Sequence, residues 1–160
     1  MAGIAATIGI LEGIEFRTIK TVPEVARAMG DTYRDHLQNV TLRRTAHGMY
    51  TYTPSPPGAP PSFVSGELAY SITVTVSPGW PRASSEVAPH TVYAAIQEFG
   101  GDTWPDHSKF MRWFMEGQYW YKKIVHLPER PYMRPALEEV IASGELQDAA
   151  VTAFREGMGM

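Results

Sequence analysis

The stretch LPERPYMRPALEE, from Leu127 to Glu139, directs how the C-terminal part of this chain folds. Pro131 and Pro135 have a fixed φ angle and no backbone N–H, so they interrupt the preceding structure and set the direction in which a helix begins. Ala136 follows them with a side chain small enough for close packing. The stretch therefore predicts a break in the chain and then the start of a helix.

That helix is predicted to run from Met133 to Ser143 and to end at Gly144, because glycine is the residue most often found just after a helix. The apolar residues predicted for its buried face are Leu137, Val140 and Ile141. A shorter helical piece over residues 145–155 is predicted to follow, within a C-terminal tail of residues 145–160.

A second helix signal lies near the N-terminus. Thr21 is suited to cap a helix, Pro23 falls in its first turn, and Glu24 stands three residues after Thr21 as in a capping box. From there apolar residues recur at steps of three and four, which predicts an amphipathic helix from Val22 to Arg44. Residues 1–20 are expected to form a lead-in that is either a short strand or irregular.

Four strands are predicted from alternating apolar and polar residues or from aromatic-rich runs bounded by turn residues. They span Leu68–Val76, Thr91–Phe99, Lys109–Met115 and Tyr119–His126. Glu116 and Gly117 are the expected turn between the last two strands, which makes these strands a hairpin. The run from Pro78 to Pro89 is rich in turn residues and is interpreted as a long loop.

Residues 50–65 contain five prolines, which forbid a helix and favour extended polyproline conformations. We interpret this segment as a stiff loop or arm. The order of elements predicts an α+β fold, in which a long N-terminal helix and a C-terminal helix pack on a roughly four-stranded antiparallel sheet. With 160 residues, the whole chain is expected to be a single domain.

The composition excludes several classes of protein. A formal net charge of −3 and a pI of about 5.9 argue against a protein that grips phosphate backbones through a basic surface. Cysteine is absent, which excludes disulfides, thiolate catalysis and cysteine-based zinc sites. The apolar N-terminus lacks a basic segment and is interrupted by Glu12, so it predicts neither a signal peptide nor a membrane span.

Residues suited to catalysis or metal binding are present without a recognised arrangement. The histidines are His36, His47, His90, His107 and His126, and none has a metal-ligand spacing. Glu98 and Glu116 are candidates for acid–base catalysis, which needs carboxylates held together in a cleft. We expect no enzyme activity, no metal site and no cofactor. A small hydrolase using Glu98 or Glu116 is the alternative.

A DNA-binding module is a second alternative, because cationic and aromatic residues interleave in part of the chain. These residues are Arg43, Arg44, Lys109, Arg112, Lys122, Lys123, Arg130 and Arg134, with Trp113, Tyr119, Trp120 and Tyr121. Such a mixture can bind single strands through stacking and charge. Strands also favour aromatic residues for packing, and we prefer to interpret these aromatics as part of the sheet.

Three segments in the same order resemble the tail-completion proteins of long-tailed bacteriophages, a head–tail joining family. PPGAPPSFVSGELAYSI, from Pro56 to Ile72, is similar to the family's Pro-rich arm and the Gly-x-Leu turn that leads into the first long strand. VYAAIQEFGG, from Val92 to Gly101, resembles the family's strand that ends in Glu-Phe-Gly. LPERPYMRPALEE, from Leu127 to Glu139, is similar to the family's Arg-Pro-aromatic-apolar-Arg-Pro-Ala entrance to the last helix. The resemblance covers about Thr21 to Ser143.

The resemblance implies a structural virion protein that forms a ring in the neck between the phage head and tail. The implied partners are further copies of this chain, as a hexamer, the tail terminator protein, and a head-side stopper or adaptor protein. DNA would pass through the ring without sequence-specific binding, and no membrane is involved. The expected location is the neck or tail top of the virion, after synthesis in the host cytoplasm.

The Pro-rich arm is the part expected to reach a neighbouring subunit, because a stiff segment loses less entropy on docking than a flexible one. The candidate inter-subunit contacts are Pro56, Pro57, Pro60, Pro61, Phe63, Arg130 and Arg134. Arg130 and Arg134 are suited to bidentate pairs with carboxylates, and we favour pairs within the subunit. The alternative for the arm is a loop packed on its own subunit.

Overall fold

The computed structural model describes residues 2–45, 54–115 and 117–160, and the fold is α+β. The helical elements are α1 (Ala2–His36), a π-helical turn (Leu37–Thr41), a 3-10 turn (Leu42–Thr45), α2 (Glu67–Tyr70), α3 (Ala94–Phe99), α4 (Met133–Ser143) and α5 (Glu145–Met158). The strands are β1 (Thr73–Ser77), β2 (Ser84–Ala88), β3 (Gly101–Thr103), β4 (Met111–Met115), β5 (Gln118–Lys122) and β6 (Val125–Leu127).

α1 is longer than predicted, because the helix continues through Pro23 instead of beginning beside it. The predicted capping box and the non-helical lead-in were therefore wrong. The hydroxyl of Thr21 donates a 2.8 Å hydrogen bond to the carbonyl of Arg17, and the side chain is buried. α5 packs along α1, with Gly157 lying directly against Thr21. This packing offsets the backbone hydrogen bond that Pro23 cannot make.

The helical path ends close to Arg44, as predicted, but its last turns are not α-helical. The N–H of Leu42 donates to the carbonyl of Leu37, five residues earlier, which defines a π-helical turn. Leu37 and Leu42 are both buried. A spacing of five residues is close to one turn of a π-helix but well past one turn of an α-helix, so the wider turn lets both leucines enter the core.

The predicted four-stranded sheet was wrong, since the described strands form three separate two-stranded antiparallel sheets. The predicted strand Leu68–Val76 begins as helix α2, and only its second half belongs to β1. Leu68, Ala69 and Ile72 are all buried. One face of a helical turn can bury residues at this spacing, whereas a strand alternates its sides.

The predicted second strand, Thr91–Phe99, was also wrong, because this segment forms helix α3. Ala94 and Glu98, four residues apart, are its buried residues. The actual partner of β1 is β2, which lies inside the segment Pro78–Pro89 that was interpreted as a loop. The two strands pair antiparallel along their whole length.

Strands β3 to β6 form two nested antiparallel pairs, and residues 101–127 are called the ribbon from here on. The outer pair is β3 with β6, and the inner pair is β4 with β5. The inner pair confirms the predicted hairpin, with Gly117 in its turn at a φ of 80°. Glu116 lies outside the described residues. All residues of β5 are exposed, so no other described element covers this part of the ribbon.

α4 has the predicted bounds, and α5 continues past the predicted end at Arg155. The predicted inner face of α4 was partly wrong, because Val140 is buried but Leu137 and Ile141 are 38% and 50% exposed. The main core residues are Tyr33, Leu37, Leu42, Leu68, Ile72, Tyr132, Ala136, Val140 and Leu146. Among the described helices, none combines the length and apolar character needed to cross a lipid bilayer.

Candidate assembly surfaces

The three segments that carry the family resemblance meet beside the start of α4. The N–H of Gly58 donates to the carbonyl of Glu129 at 2.9 Å, and the N–H of Arg130 donates to the carbonyl of Gln97 at 2.7 Å. The guanidinium Nε of Arg130 donates to the carbonyl of Ser55 at 3.0 Å. The Pro-rich segment, α3 and the chain leading into α4 are therefore joined by backbone hydrogen bonds.

Glu98 holds the start of α4. Tyr132 occupies the N-cap position of this helix, and its side chain makes no capping hydrogen bond. The Glu98 carboxylate instead accepts hydrogen bonds from the backbone N–H groups of Tyr132 at 2.8 Å, Met133 at 3.0 Å and Arg134 at 3.3 Å. Glu98 is 8% exposed, and a carboxylate at this position interacts favourably with the helix dipole. The candidate catalytic base is therefore engaged in holding α4 against α3.

The charge of Glu98 also affects two buried tyrosines. Burial, and then the negative charge of Glu98, raises the pKa of Tyr33 well above its usual value, and the same causes raise the pKa of Tyr132. The hydroxyl of Tyr33 donates a 2.6 Å hydrogen bond to the carbonyl of Met133. Among the described residues the hydroxyl of Tyr132 has no partner. Both phenols remain uncharged near neutral pH and serve in packing.

The described part of the Pro-rich arm, residues 54–65, makes several contacts with its own chain. Pro61 is buried. Phe63 packs against the core, and the guanidinium of Arg43 lies 5.3 Å from the centre of its ring. Residues 50–53 of the arm lie outside the described residues.

The remaining prolines of the arm differ in exposure. Pro56 and Pro57 are exposed at a turn, and Pro60 is half-buried. The N–H of Ala59 donates to the carbonyl of Pro56 at 3.2 Å, which closes this turn. Pro56 and Pro57 are therefore the residues of the described arm segment that a neighbouring molecule can reach most easily.

The two arginines have different surroundings. Besides the carbonyl of Ser55, the Arg130 guanidinium contacts the carbonyl of Pro128 at 3.5 Å, so its contacts are within the subunit but involve carbonyl groups. Among the described residues no carboxylate pairs with Arg130, so the carboxylate pair favoured within the subunit is not found there. Arg134 is exposed, and within the described part of the chain no carboxylate lies within ion-pair distance of its side chain.

The histidines are distributed over the fold. His36 lies 3.2 Å from Glu139 and 3.5 Å from Glu145 at the end of α1, and His126 lies 2.9 Å from Asp102 in the ribbon. Over residues 2–45, 54–115 and 117–160, no three side chains of metal-ligating type come together.

One face of the inner ribbon consists of exposed aromatic side chains. Because alternate residues of a strand share a side, the cross-strand pairs Arg112–Tyr121 and Phe114–Tyr119 place four side chains on one face. Phe114 is 63% exposed, and Tyr119 and Tyr121 are each 57% exposed. We call these four residues the aromatic face. Its tyrosines are sheet residues, as predicted, but no described element packs on them.

The side chains of the aromatic face are ordered against one another. The rings of Phe114 and Tyr119 meet edge to face, with centres 5.1 Å apart. The guanidinium of Arg112 lies 5.0 Å from the centre of the Tyr119 ring, within the range of a cation–π interaction. The face is therefore a preformed apolar surface with one cation at its edge.

A second uncovered apolar surface is a groove of about 940 Å³ between α3 and the start of α4. Three of its lining residues are large apolar side chains in contact with solvent: Val92 is fully exposed, Phe99 is 77% exposed and Leu137 is 38% exposed. Its walls also contain Pro89, Pro131 and Pro135. We call this surface the α3–α4 groove. Apolar clusters of this kind on a surface mark sites of interaction.

The ribbon and the C-terminal helices have opposite charge. Residues 109–123 contain four basic residues, Lys109, Arg112, Lys122 and Lys123, and one acidic residue, Glu116. α4 and α5 contain the acidic residues Glu138, Glu139, Glu145, Asp148 and Glu156 against the basic residues Arg134 and Arg155. Residues 109–123 are thus basic in a chain whose net charge is −3, and Asp102 and Asp106 reduce the basic excess over the whole ribbon to one.

Sequence reasoning named Arg112, Tyr119 and Tyr121 only as part of a possible DNA-binding surface, and it singled out neither the complete aromatic face nor the α3–α4 groove. The alternating aromatic residues on both sides of Gly117 were the available signal for the aromatic face. The groove had no comparable signal, because its α3 wall was predicted as a strand. No protein-family model, no curated protein and no solved structure matches this chain.

Proposed function

We propose that the chain is a structural virion protein of the bacteriophage head–tail joint. In this role it forms a ring that completes the tail and connects it to the head around the DNA channel. The three segments that resemble tail-completion proteins support this function. The structural observation that carries it is the uncovered aromatic face of the ribbon.

The aromatic face supports an assembly role for two physical reasons. A two-stranded hairpin that packs on nothing is only marginally stable in water, so this hairpin gains stability when another surface covers it. Aromatic residues and arginine are also the residue types most enriched at protein interfaces. Phe114, Tyr119, Tyr121 and Arg112 combine both features on one exposed face.

The proposed partners are further copies of the chain in a hexameric ring, the tail terminator and a head-side stopper or adaptor. DNA passes through the ring and is not retained, which is compatible with the net charge of −3. The role includes no catalytic step, and the engagement of Glu98 with α4 agrees with that.

Disrupting the gene in a phage whose genome encodes this chain tests the function. An early stop codon is expected to leave DNA-filled heads and tails that remain separate in electron micrographs. Expression of the intact chain from a plasmid should restore joined particles, and mass spectrometry should find the chain in them. Normal yields of infectious particles from the stop-codon phage would contradict the proposal.

A DNA-binding module is the second candidate, because the ribbon carries exposed aromatic rings beside cations. Binding of this kind weakens steeply as salt concentration rises, since bound counterions are released from the phosphates. Fluorescence anisotropy with a labelled single-stranded oligonucleotide at several salt concentrations distinguishes the candidates. We expect no salt-dependent binding by the purified chain, whereas affinity that falls steeply with salt and is lost in Arg112→Ala would favour the DNA-binding role.

A further inference from the structure

The aromatic face and the α3–α4 groove are both open within a single copy of the chain. The rings of the face are more than half exposed, and the apolar residues of the groove are in contact with solvent. The two surfaces therefore do not cover each other inside one subunit. They are also different in shape, since one is a projecting ribbon and the other is concave.

We propose that the α3–α4 groove of one copy receives the aromatic face of the ribbon of the next copy. This inference rests on the proposed function and specifies the contact that builds the ring. Because the two surfaces differ, the contact is heterologous, and its repetition closes into a ring when the rotation between subunits allows it.

The groove is suited to a rigid partner because its own walls are held in place. Pro131 and Pro135 restrict the backbone on the α4 side. Glu98 ties the first turn of α4 to α3 through three backbone N–H groups, so the two walls keep a constant separation. A preformed apolar groove loses little conformational entropy when it binds, which favours association.

Charge complementarity favours a second copy as the occupant. The ribbon segment 109–123 has an excess of basic residues, whereas α4, which forms one wall of the groove, continues into helices with an excess of acidic residues. Among the residues that line the groove, Glu98 and Glu129 are acidic and Arg134 is basic, so the groove has an excess of one acidic residue. Complementary charge of this kind guides the ribbon of one copy towards the groove of another.

The size of the contact indicates how it should be measured. Three aromatic side chains bury about 450–750 Å² together, at about 150–250 Å² each. A standard stable interface buries roughly 1,600 Å². The contact between two copies is therefore expected to be weak until ring closure adds further contacts, so a covalent trap is the appropriate assay.

Disulfide trapping is free of background here because the chain has no cysteine. Two single variants of the full chain, Tyr119→Cys on the ribbon and Val92→Cys in the groove, are mixed under a mild oxidant. Both positions are well exposed, so the variants should fold as the parent chain does. We expect the mixture to form at least ten-fold more mixed disulfide dimer than a mixture of Tyr119→Cys with Trp80→Cys, a half-exposed position in the β1–β2 loop.

A second pair, Phe114→Cys with Phe99→Cys, repeats the measurement at different positions of the same two surfaces. Trapping of both pairs above the Trp80 control supports the inference. Trapping no greater than that control overturns it. Preferential formation of a disulfide between two copies of the Tyr119→Cys variant, which would place ribbon against ribbon, also overturns it.

The two proposals fail in different ways. If the ribbon–groove disulfide forms while the stop-codon phage still assembles joined particles, the head–tail function is wrong and the interface stands. If the chain is required for joining but the ribbon does not cross-link to the groove, the function stands and the interface is wrong.

Discussion

The carboxylate of Glu98 accepts a 2.8 Å hydrogen bond from the backbone N–H of Tyr132. This bond connects α3 to the first turn of α4 beside the side chain of Tyr132, the largest that is fully buried among the described residues. Glu98 of α3 thus supplies the cap of α4, whose own N-cap side chain makes no capping hydrogen bond. The contact fixes the two walls of the α3–α4 groove.

Replacing Glu98 by Ala is expected to lower the free energy of unfolding by about 2–3 kcal/mol, because three backbone N–H groups at a helix start lose their acceptor. Glu98→Gln should cost less, since its amide oxygen still accepts a hydrogen bond. Urea denaturation followed by circular dichroism measures both variants. Glu138→Ala, at an exposed position of α4, is the control, and equal stability of Glu98→Ala and Glu138→Ala would show that the cap is unimportant.

Gly157→Ala is expected to destabilise the protein by about 1–3 kcal/mol, because the added Cβ meets the side chain of Thr21 across the α1–α5 contact. Helix propensity alone predicts the opposite sign, since alanine favours a helix over glycine by about 1 kcal/mol. Thermal unfolding of Gly157→Ala, Thr21→Ala and the double variant measures the coupling. The double variant should lose less than the sum of the single losses, and strict additivity would argue against the contact.

Gly100→Ala is expected to cost more stability than Gly101→Ala. Both glycines have positive φ, at 66° and 133°, so alanine is strained at either position. A Cβ at Gly100 would lie 2.7 Å from the backbone nitrogen of Glu129, whereas a Cβ at Gly101 meets nothing within 4 Å. This overpacking should lower the free energy of unfolding of Gly100→Ala by about 1–3 kcal/mol relative to Gly101→Ala. Urea denaturation of the two variants measures the difference. Equal losses would mean that α3 does not pack closely on the chain leading to α4.

The pH dependence of stability should reveal the contact between Arg44 and Glu139. The Arg44 guanidinium donates hydrogen bonds of 2.7 and 2.9 Å to this carboxylate. The hydrogen bond from Arg44, and then that from His36, lowers the pKa of Glu139 below its usual 4.5. A lowered pKa in the folded state stabilises the protein above the unfolded pKa, and this stability is lost as the pH falls through the folded pKa.

Glu139→Gln should therefore be less stable than the parent chain near neutral pH, and the difference should shrink as the pH falls below 4.5. Because the Glu139 side chain is 39% exposed, solvent screening keeps the effect below about 1 kcal/mol. Chemical denaturation at a series of pH values gives the difference. Glu138→Gln, at an exposed neighbouring position, should show no such trend, and the same trend in both variants would contradict the assignment to Glu139.

Local chemistry was sufficient to predict α4 and the hairpin of β4 and β5. Pro131 and Pro135 restrict their own backbone, and Gly144 and Gly117 adopt positive φ angles at a helix end and in a turn. These constraints act within a few residues, so they can be read directly from the order of amino acids. The same reasoning identified the segment that packs beside α3, although it did not predict what Glu98 does there.

Contacts between distant segments decided the length of α1 and the formation of α3. α1 continues through Pro23 because α5 packs on it, and Thr21 and Gly157 are far apart in the chain. The segment around Ala94 and Glu98 becomes a helix because that form buries both residues and brings the carboxylate to the start of α4. The local preference of a residue for helix or strand contributes less free energy than burying these side chains does. Local preference therefore could not predict α3, the groove beside it, or which aromatic residues of the ribbon stay exposed.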